Sequence, residues 1–335
     1  MRIVVYDIAA DSGGALSVLM EYYNKALMDN DNEYLFIIGV AELEEACNVK
    51  VLRVPATKRS WFHRVVYDAL SAHRVIHEFG ADKVVSLQNT TVPFCDARQI
   101  VYMHNLLPRQ ICDEKFRLLR DPKLWVYQNI IGSLIVRSCK NADGVIVQAR
   151  WIKDRLVKRC GISSDVITVE RPSTEPTVTA YAQKKRDDVV RFFYPASGEP
   201  FKNHEVIVKA CELLNEQSVT DYQVIFTLSG NESKRIRTLK GKVQNEGLPI
   251  VFAGWLTYEE VSKAYSESAC LLFPSKIETF GLPLLEAKAF GISIIAANLE
   301  YAHEAIGSYP DAAFFNPGDY DGLRELMSRK VFEYL

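Results

Sequence analysis

The sequence predicts an α/β protein of two domains, each built on a mostly parallel sheet with helices on both faces. Three observations carry this. The chain has 335 residues, more than a typical single domain. Short apolar runs alternate with amphipathic helical patterns along most of it. These runs are continuously apolar rather than alternating with polar residues, as expected of strands buried on both faces. One stretch, Arg171 to Asp188, is rich in Pro, Thr, Lys and Asp and lacks an apolar period, so it reads as a linker. The expected division is 1–170, a linker at 171–188, and 189–335.

In the first domain, Ile3 to Tyr6 is a buried strand, and Asp11-Ser12-Gly13-Gly14 is a turn. Ala15 to Leu27 places Leu16, Leu19, Met20, Tyr23 and Leu27 on one helical side. Tyr34 to Ile38 and Val49 to Val54 follow as strands, Trp61 to Phe79 as one helix, and Lys83 to Leu87 as a strand. Gln99 to Met103 is a strand leading into His104-Asn105, and Leu124 to Cys139 is a helix. Gly144 to Val147 is a strand and Ala149 to Arg159 a helix.

Beyond the linker, Val190 to Tyr194, Gln223 to Leu228, Ile250 to Phe252, Leu271 to Phe273 and Ser293 to Ala296 are strands. Glu205 to Leu214, Ser233 to Asn245, Tyr258 to Ser266, Pro283 to Phe290 and Asp319 to Arg329 are the helices between and after them. There is no fixed-period repeat.

Composition excludes several classes. A formal net charge of −2 argues against a nucleic-acid binder. No run approaches the roughly 20 apolar residues of a membrane span, and the start MRIVVYDIA does not read as a signal peptide. The seven cysteines are scattered, with no CxxC or Cys/His cluster suited to zinc. Such usage fits a reduced, cytoplasmic protein.

The most informative stretch is PSKIETFGLPLLE, Pro274 to Glu286, with Glu278 and Glu286 separated by seven residues. It follows an apolar strand and contains a glycine turn before a helix start with Pro283 in its first turn. A carboxylate at Glu286 suits ribose hydroxyls. Glu278 suits a sugar ring, and the amides of Thr279, Phe280, Gly281 and Leu282 suit a phosphate or hydroxyl. Lys202, in SGEPFKNH, can neutralise a diphosphate, and His204 can add a donor. The loops Ser229-Gly230-Asn231-Glu232 and Gly254-Trp255-Leu256 close neighbouring strands; Leu256 either covers a base or packs in the core. In the first domain, Gly13 and Gly14 either form a plain turn or floor a ligand site, without the GxGxxG or Walker pattern. His104, in YMHNLLP, can donate a hydrogen bond or act as a base.

With these residues in view, the chain resembles a retaining glycosyltransferase of the GT-B fold, family 4, of the type that builds bacterial polysaccharide and lipopolysaccharide. The likeness covers most of the chain and is strongest from Tyr194 to Ala297, where PSxxExFGLPLLEAxAxG is similar to the family's two-glutamate motif. The resemblance implies two facing Rossmann-like domains with an interdomain cleft, nucleotide binding mainly on the second domain and acceptor binding mainly on the first. It implies that Lys202 neutralises the donor diphosphate, Glu286 holds the ribose and Glu278 orients the sugar, with the Thr279 to Leu282 amides assisting. Gly14 then lets the first domain approach the donor, and His104 touches the sugar. No metal or other cofactor is expected. Relatives often carry an arginine five residues before the lysine; here that place is Ser197, with Arg235, Lys234 or His204 as substitutes.

The implied reaction transfers a sugar from a nucleoside diphosphate sugar to a saccharide hydroxyl with retention of anomeric configuration. An impaired GT-B binding or regulatory protein, a GT-B-like sugar-nucleotide epimerase and a phosphorylase are the alternatives. Residues 105–160 hold twelve Lys or Arg against five Asp or Glu. Arg109, Lys115, Arg117, Arg120 and Lys123 lie beside Phe116, Leu118, Leu119 and Trp125. This region, 109–125, is either a peripheral contact with the inner face of the cell membrane or an ordinary solvated surface. In the first case the acceptor is a lipid-linked saccharide.

Overall fold

The computed structural model describes residues 1–11, 13–171 and 189–334. Residues 172–188 of the expected linker, and Ser12 of the expected first turn, lie outside the described residues. The chain divides into two compact units, Met1–Pro172 and Ser173–Leu335.

The first unit runs β1 (Arg2–Asp7), α1 (Gly13–Leu27), β2 (Glu33–Ile38), β3 (Val49–Arg53), α2 (Trp61–Leu70), α3 (Ala72–Phe79), β4 (Lys83–Ser86) and β5 (Arg98–Met103). It continues through α4 (Pro122–Val126), a π-helical turn (Tyr127–Ile131), α5 (Gly132–Asn141), β6 (Gly144–Val147), α6 (Arg150–Cys160) and β7 (Ile167–Val169). Its sheet has the order β3-β2-β1-β4-β5-β6-β7, every pair parallel. The strand β1 shows why its sequence lacks polar alternation. Ile3 and Val5 pack on one side with Leu19, Tyr23 and Phe36. Val4 and Tyr6 pack on the other with Ile37, Ala72 and Ile76. Both faces are buried, so both sets of side chains must be apolar.

The second unit runs β8 (Val190–Tyr194), α7 (His204–Glu216), β9 (Tyr222–Phe226), α8 (Lys234–Asn245), β10 (Ile250–Phe252) and α9 (Tyr258–Glu267). Then follow β11 (Cys270–Phe273), α10 (Leu282–Phe290), β12 (Ser293–Ala297), α11 (Glu300–Ile306), β13 (Ala312–Phe315) and α12 (Tyr320–Tyr334). Its parallel sheet has the order β10-β9-β8-β11-β12-β13. Counted from the first strand of each unit, both sheets reverse direction between strands one and four. That is the doubly wound arrangement, whose ligand crevice opens at the carboxyl ends of the strands flanking the reversal. The reversal lies between β1 and β4 in one unit and between β8 and β11 in the other.

Three expectations are corrected. The helix read over Trp61 to Phe79 is two helices, α2 and α3, meeting at Ser71. After the break Ala72 and Ile76 turn onto the sheet, whereas Phe62 and Leu70 of α2 stay exposed; one straight helix could not aim both sets correctly. The helix read over Leu124 to Cys139 is α4, a π-helical turn and α5. There Gly132 passes so close to Pro108 that a Cβ would stand 2.7 Å from its Cα. The final helix ends at Tyr334 rather than Arg329. Among the described strands and α-helices three went unread, β7, α11 and β13, all short and two of them edge strands. Among the described residues no helix is long and apolar enough to cross a membrane.

Candidate active site

The reversal in the second unit brings together the loop after β8 and the loop after β11, which are far apart in sequence. At their meeting point Lys202 Nζ lies 2.5 Å from Glu278 Oε1. Both side chains are largely buried, at 18% and 14% exposure. Four hydrogen bonds fix this approach. Tyr194 ends β8 fully buried, and its Oη donates to Lys202 O at 2.6 Å. The Lys276 N–H donates to Phe201 O at 2.8 Å, tying the two loops backbone to backbone. Asn203 Nδ2 donates to Pro274 O and Pro317 O at 3.2 and 2.8 Å. Asn203 holds φ +60°, a conformation that asparagine adopts more readily than most side chains.

Beyond Glu278 the chain reaches α10 through Gly281 at φ +75°. Its left-handed backbone and the packing of Leu284, Phe273 and Tyr301 around it require glycine. The N–H groups of Phe280, Gly281 and Leu282 make no hydrogen bond among the described residues. With the aligned dipole of α10 behind them they form an anion-attracting edge beside Lys202 and Glu278. Glu286 sits in the second turn of α10. Its Oε2 accepts from Tyr265 Oη at 2.7 Å, and burial raises its pKa. Tyr265 stacks on Phe290 at 5.2 Å, so one carboxylate oxygen is held and oriented.

The remaining expected residues of this unit are distributed differently. Gly254, at φ +83°, and half-buried Leu256 follow β10, two strands away from β8. Trp255 between them is 83% exposed. The loop 229–232 closes on itself: Glu232 accepts from Ser229 N, Ser229 Oγ and Gly230 N. His204 is corrected. It is fully buried against Tyr194 and Phe226, both ring nitrogens lack partners among the described residues, and burial lowers its pKa to about 3. It is a neutral core residue rather than a ligand donor. Of the substitutes for the missing arginine at Ser197, Arg235 reaches that loop. Its Nη2 donates to Gly198 O at 2.8 Å, and its other end pairs with Glu205. Lys234 is exposed.

In the first unit, a cavity of about 690 Å³ opens at the reversal between β1 and β4. Ala9 and Ala15, on either side of the glycine pair, line it together with His104. A Cβ on Gly14 would meet nothing within 4 Å, so the fold alone does not require that glycine. Asn89 fixes His104. Its Oδ1 accepts from the N–H groups of His104 and Asn105 at 2.7 and 2.8 Å. Its amide nitrogen therefore donates to His104 Nε2, 3.2 Å away, and the ring proton lies on Nδ1. Nδ1 has no partner among the described residues. Burial lowers the pKa to about 4, so the ring is neutral at pH 7. The lone pair a base would use is already engaged, which leaves His104 a donor.

Sequence reasoning missed the positioning residues Tyr194, Asn203, Tyr265 and Asn89. Asn203 alone had a local signal, as an αL-tolerant residue between a turn and a helix.

Residues 180–330 match the family model for Glycosyl transferases group 1. It is 25% identical over 260 residues to the serotype-specific mannosyltransferase WbdA of Escherichia coli, covering 74% of this chain and 30% of WbdA. It is 24% identical over 255 residues to the O-antigen chain mannosyltransferase RfbU of Salmonella typhimurium, covering 76% of this chain and 66% of RfbU. The chain thus spans about a third of one relative's length and about two thirds of the other's. Among solved structures, sucrose-phosphate synthase from Thermosynechococcus elongatus superposes with TM-score 0.75 at 17% identity, covering 99% and 90% of the two chains. WaaG, a glycosyltransferase involved in lipopolysaccharide biosynthesis, gives 0.73 at 14%, with the same coverage. These likenesses establish the fold as GT-B, with two Rossmann-like α/β units.

Proposed function

We propose that this protein is a retaining, family 4 glycosyltransferase that moves a hexose, mannose in the first instance, from a nucleoside diphosphate sugar to a saccharide hydroxyl during polysaccharide assembly. The observation that carries this is the Lys202–Glu278 contact at the reversal of the second sheet, beside the unpartnered amides that open α10. The mannose assignment follows the two relatives named as mannosyltransferases.

The roles follow from charge. When the bond from the anomeric carbon to the diphosphate breaks, negative charge grows on the leaving oxygen. The Lys202 ammonium and the amides of Phe280 to Leu282 are fixed in advance where that charge appears, which lowers the barrier without reorganisation. Glu278 holds Lys202 until donor arrives and then orients the sugar. Glu286 offers its second oxygen to ribose while Tyr265 steadies the first. The acceptor oxygen attacks from the face the diphosphate leaves, and the acceptor proton passes to the departing phosphate oxygen, so configuration is retained. His104 lines the cavity of the first unit as a neutral ring and touches the sugar there.

Titration calorimetry with UDP, GDP and their sugar conjugates tests this reading. One nucleotide should bind, and Glu286→Ala should weaken it by roughly 10- to 100-fold, the worth of hydrogen bonds to a charged group. No binding of any nucleotide sinks the proposal. The anomeric proton of the product, followed by NMR from the first turnover, distinguishes retention from inversion.

The protein also rests on the anionic inner face of the membrane through 109–125. Leu119 is fully exposed and Leu118 half exposed. Arg109, Lys115, Arg117, Arg120 and Lys123 are all exposed and form no ion pair among the described residues. Unneutralised cations around an apolar tip suit a surface of anionic lipid.

A further inference from the structure

We propose that the first unit pairs with a second copy of this chain across a two-fold axis, Phe94 of each copy filling a recess beside Phe94 of the other.

The recess, of about 640 Å³, lies at the amino ends of β4 and β5. The crevice of a doubly wound sheet lies at the carboxyl ends of its strands. The recess is therefore at the opposite end of the same sheet and separate from that crevice. His73 and His77 of α3 line one side of it, and the loop 93–97 that leads into β5 lines another. Phe94 stands on the rim. Its side chain is 80% exposed. Its φ is +58°, a left-handed backbone that a bulky residue adopts only at a cost. Its ring meets His73 edge-on, with centroids 6.0 Å apart. The fold thus holds a phenyl ring outward on strained backbone, and a single copy recovers little burial for it. A partner that covers the ring supplies that burial, ~150–250 Å² for an aromatic side chain.

The charges around the recess say which partner. Arg74, Arg98, Glu78 and Asp96 all line it, and all four are exposed. None of them forms an ion pair among the described residues, not even Arg74 with Glu78 one turn along α3. Asp82, a further carboxylate of the lining, is already engaged by the Arg2 N–H at 2.7 Å. Two unpaired cations and two unpaired carboxylates therefore surround one recess. A patch selecting an anionic or a cationic partner would carry an excess of one sign. A two-fold interface presents the same patch to itself, so it must hold both signs. Knob and hole also lie side by side. An axis between them sets each Phe94 over the other copy's recess, and the contact closes at two copies instead of running on as an open chain. Two phenyl rings bury ~300–500 Å² together, short of the roughly 1,200 Å² of a stable pair. The charged rim supplies the rest, which makes the dimer weak and salt-sensitive, with a Kd on the order of micromolar.

Sedimentation velocity on the full chain tests this. The mass should double as concentration rises through the micromolar range, and added salt should return the chain toward monomer. Phe94→Asn, which accepts left-handed backbone, should raise the dimer Kd by about tenfold or more, as for an aromatic anchor. The Tm of the monomer should stay the same or rise. Two charge variants address the rim. Arg74→Glu with Arg98→Glu leaves only carboxylates there, and Glu78→Lys with Asp96→Lys leaves only cations. Each alone should be monomeric, and their equimolar mixture should form a heterodimer. A wild-type chain that stays monomeric at every concentration overturns the proposal, even if another protein docks on the patch. So does a dimer that Phe94→Asn and both charge variants leave intact, since its contact then lies elsewhere. A fall in Tm with unchanged association assigns Phe94 to folding and equally overturns it.

Discussion

Lys202 is the residue on which most of the chemistry is placed. Its ammonium faces one carboxylate in a largely buried setting, so exchanging that partner for a diphosphate costs little further desolvation. Lys202→Ala should reduce kcat by roughly 100-fold or more, the usual cost of removing one preorganised charge-stabilising group. The effect on nucleotide affinity should be smaller, because Glu286 and the amides remain; steady-state kinetics separates the two. Gly14 gives a prediction of the opposite kind. Because a Cβ there meets nothing, Gly14→Ala should leave stability within about 0.5 kcal/mol, as for an ordinary surface change. If donor approaches that backbone, transfer should still fall, and a melt paired with an activity assay shows both. His104 predicts a pH dependence. Its pKa is lowered to about 4 in the folded chain, against about 6.5 when unfolded. Between those values the unfolded chain binds a proton that the folded chain does not. Stability from this group is therefore whole above about pH 6.5 and is lost as pH falls toward 4, by on the order of 3 kcal/mol. His104→Gln should flatten that part of the stability-versus-pH curve in denaturant titrations.

At the scale of elements, the loop joining β11 to α10 is the part least tolerant of change. Gly281 holds φ +75° with three side chains packed on it, Leu284 at only 3.0 Å from where a Cβ would stand. Gly281→Val should destabilise by about 1–3 kcal/mol through backbone strain and crowding. It should also displace the amides that open α10, so nucleotide affinity should fall together with Tm in thermal melts with and without nucleotide. The π-helical turn is the comparable feature of the first unit. Such turns interrupt helices frequently at functional sites, and here Tyr127 and Ile131 of that turn line the cavity.

At the scale of the molecule, the chain combines two sheets of the same winding with different surfaces. The basic tip at 109–125 belongs to the first unit. Sedimentation with vesicles should show binding to phosphatidylglycerol but not to phosphatidylcholine, weakening as salt shortens the range of charge attraction. Leu118→Asp with Leu119→Asp should abolish it without lowering Tm, since both side chains are exposed. Binding that is equal for neutral and anionic vesicles would refute an electrostatic dock.

The sequence by itself determined the fold class, the strands long enough to show continuous apolarity, and the motif from Pro274 to Glu286. Those depend on local spacing, on burial of both sheet faces and on the conformational demands of Gly281, all written within a few residues of each other. Single-residue breaks such as Ser71, and strands of three or four residues at sheet edges such as β7 and β13, carried too little local signal to be read. Only the tertiary structure decided that Lys202 meets Glu278 across 76 residues, that Tyr265 holds Glu286 and that Asn89 sets the tautomer of His104. It also decided that His204, two residues from Lys202, is sealed in the core while His104 lines a cavity of the first unit. Strand order brings distant loops to one crevice, and no local pattern encodes that order.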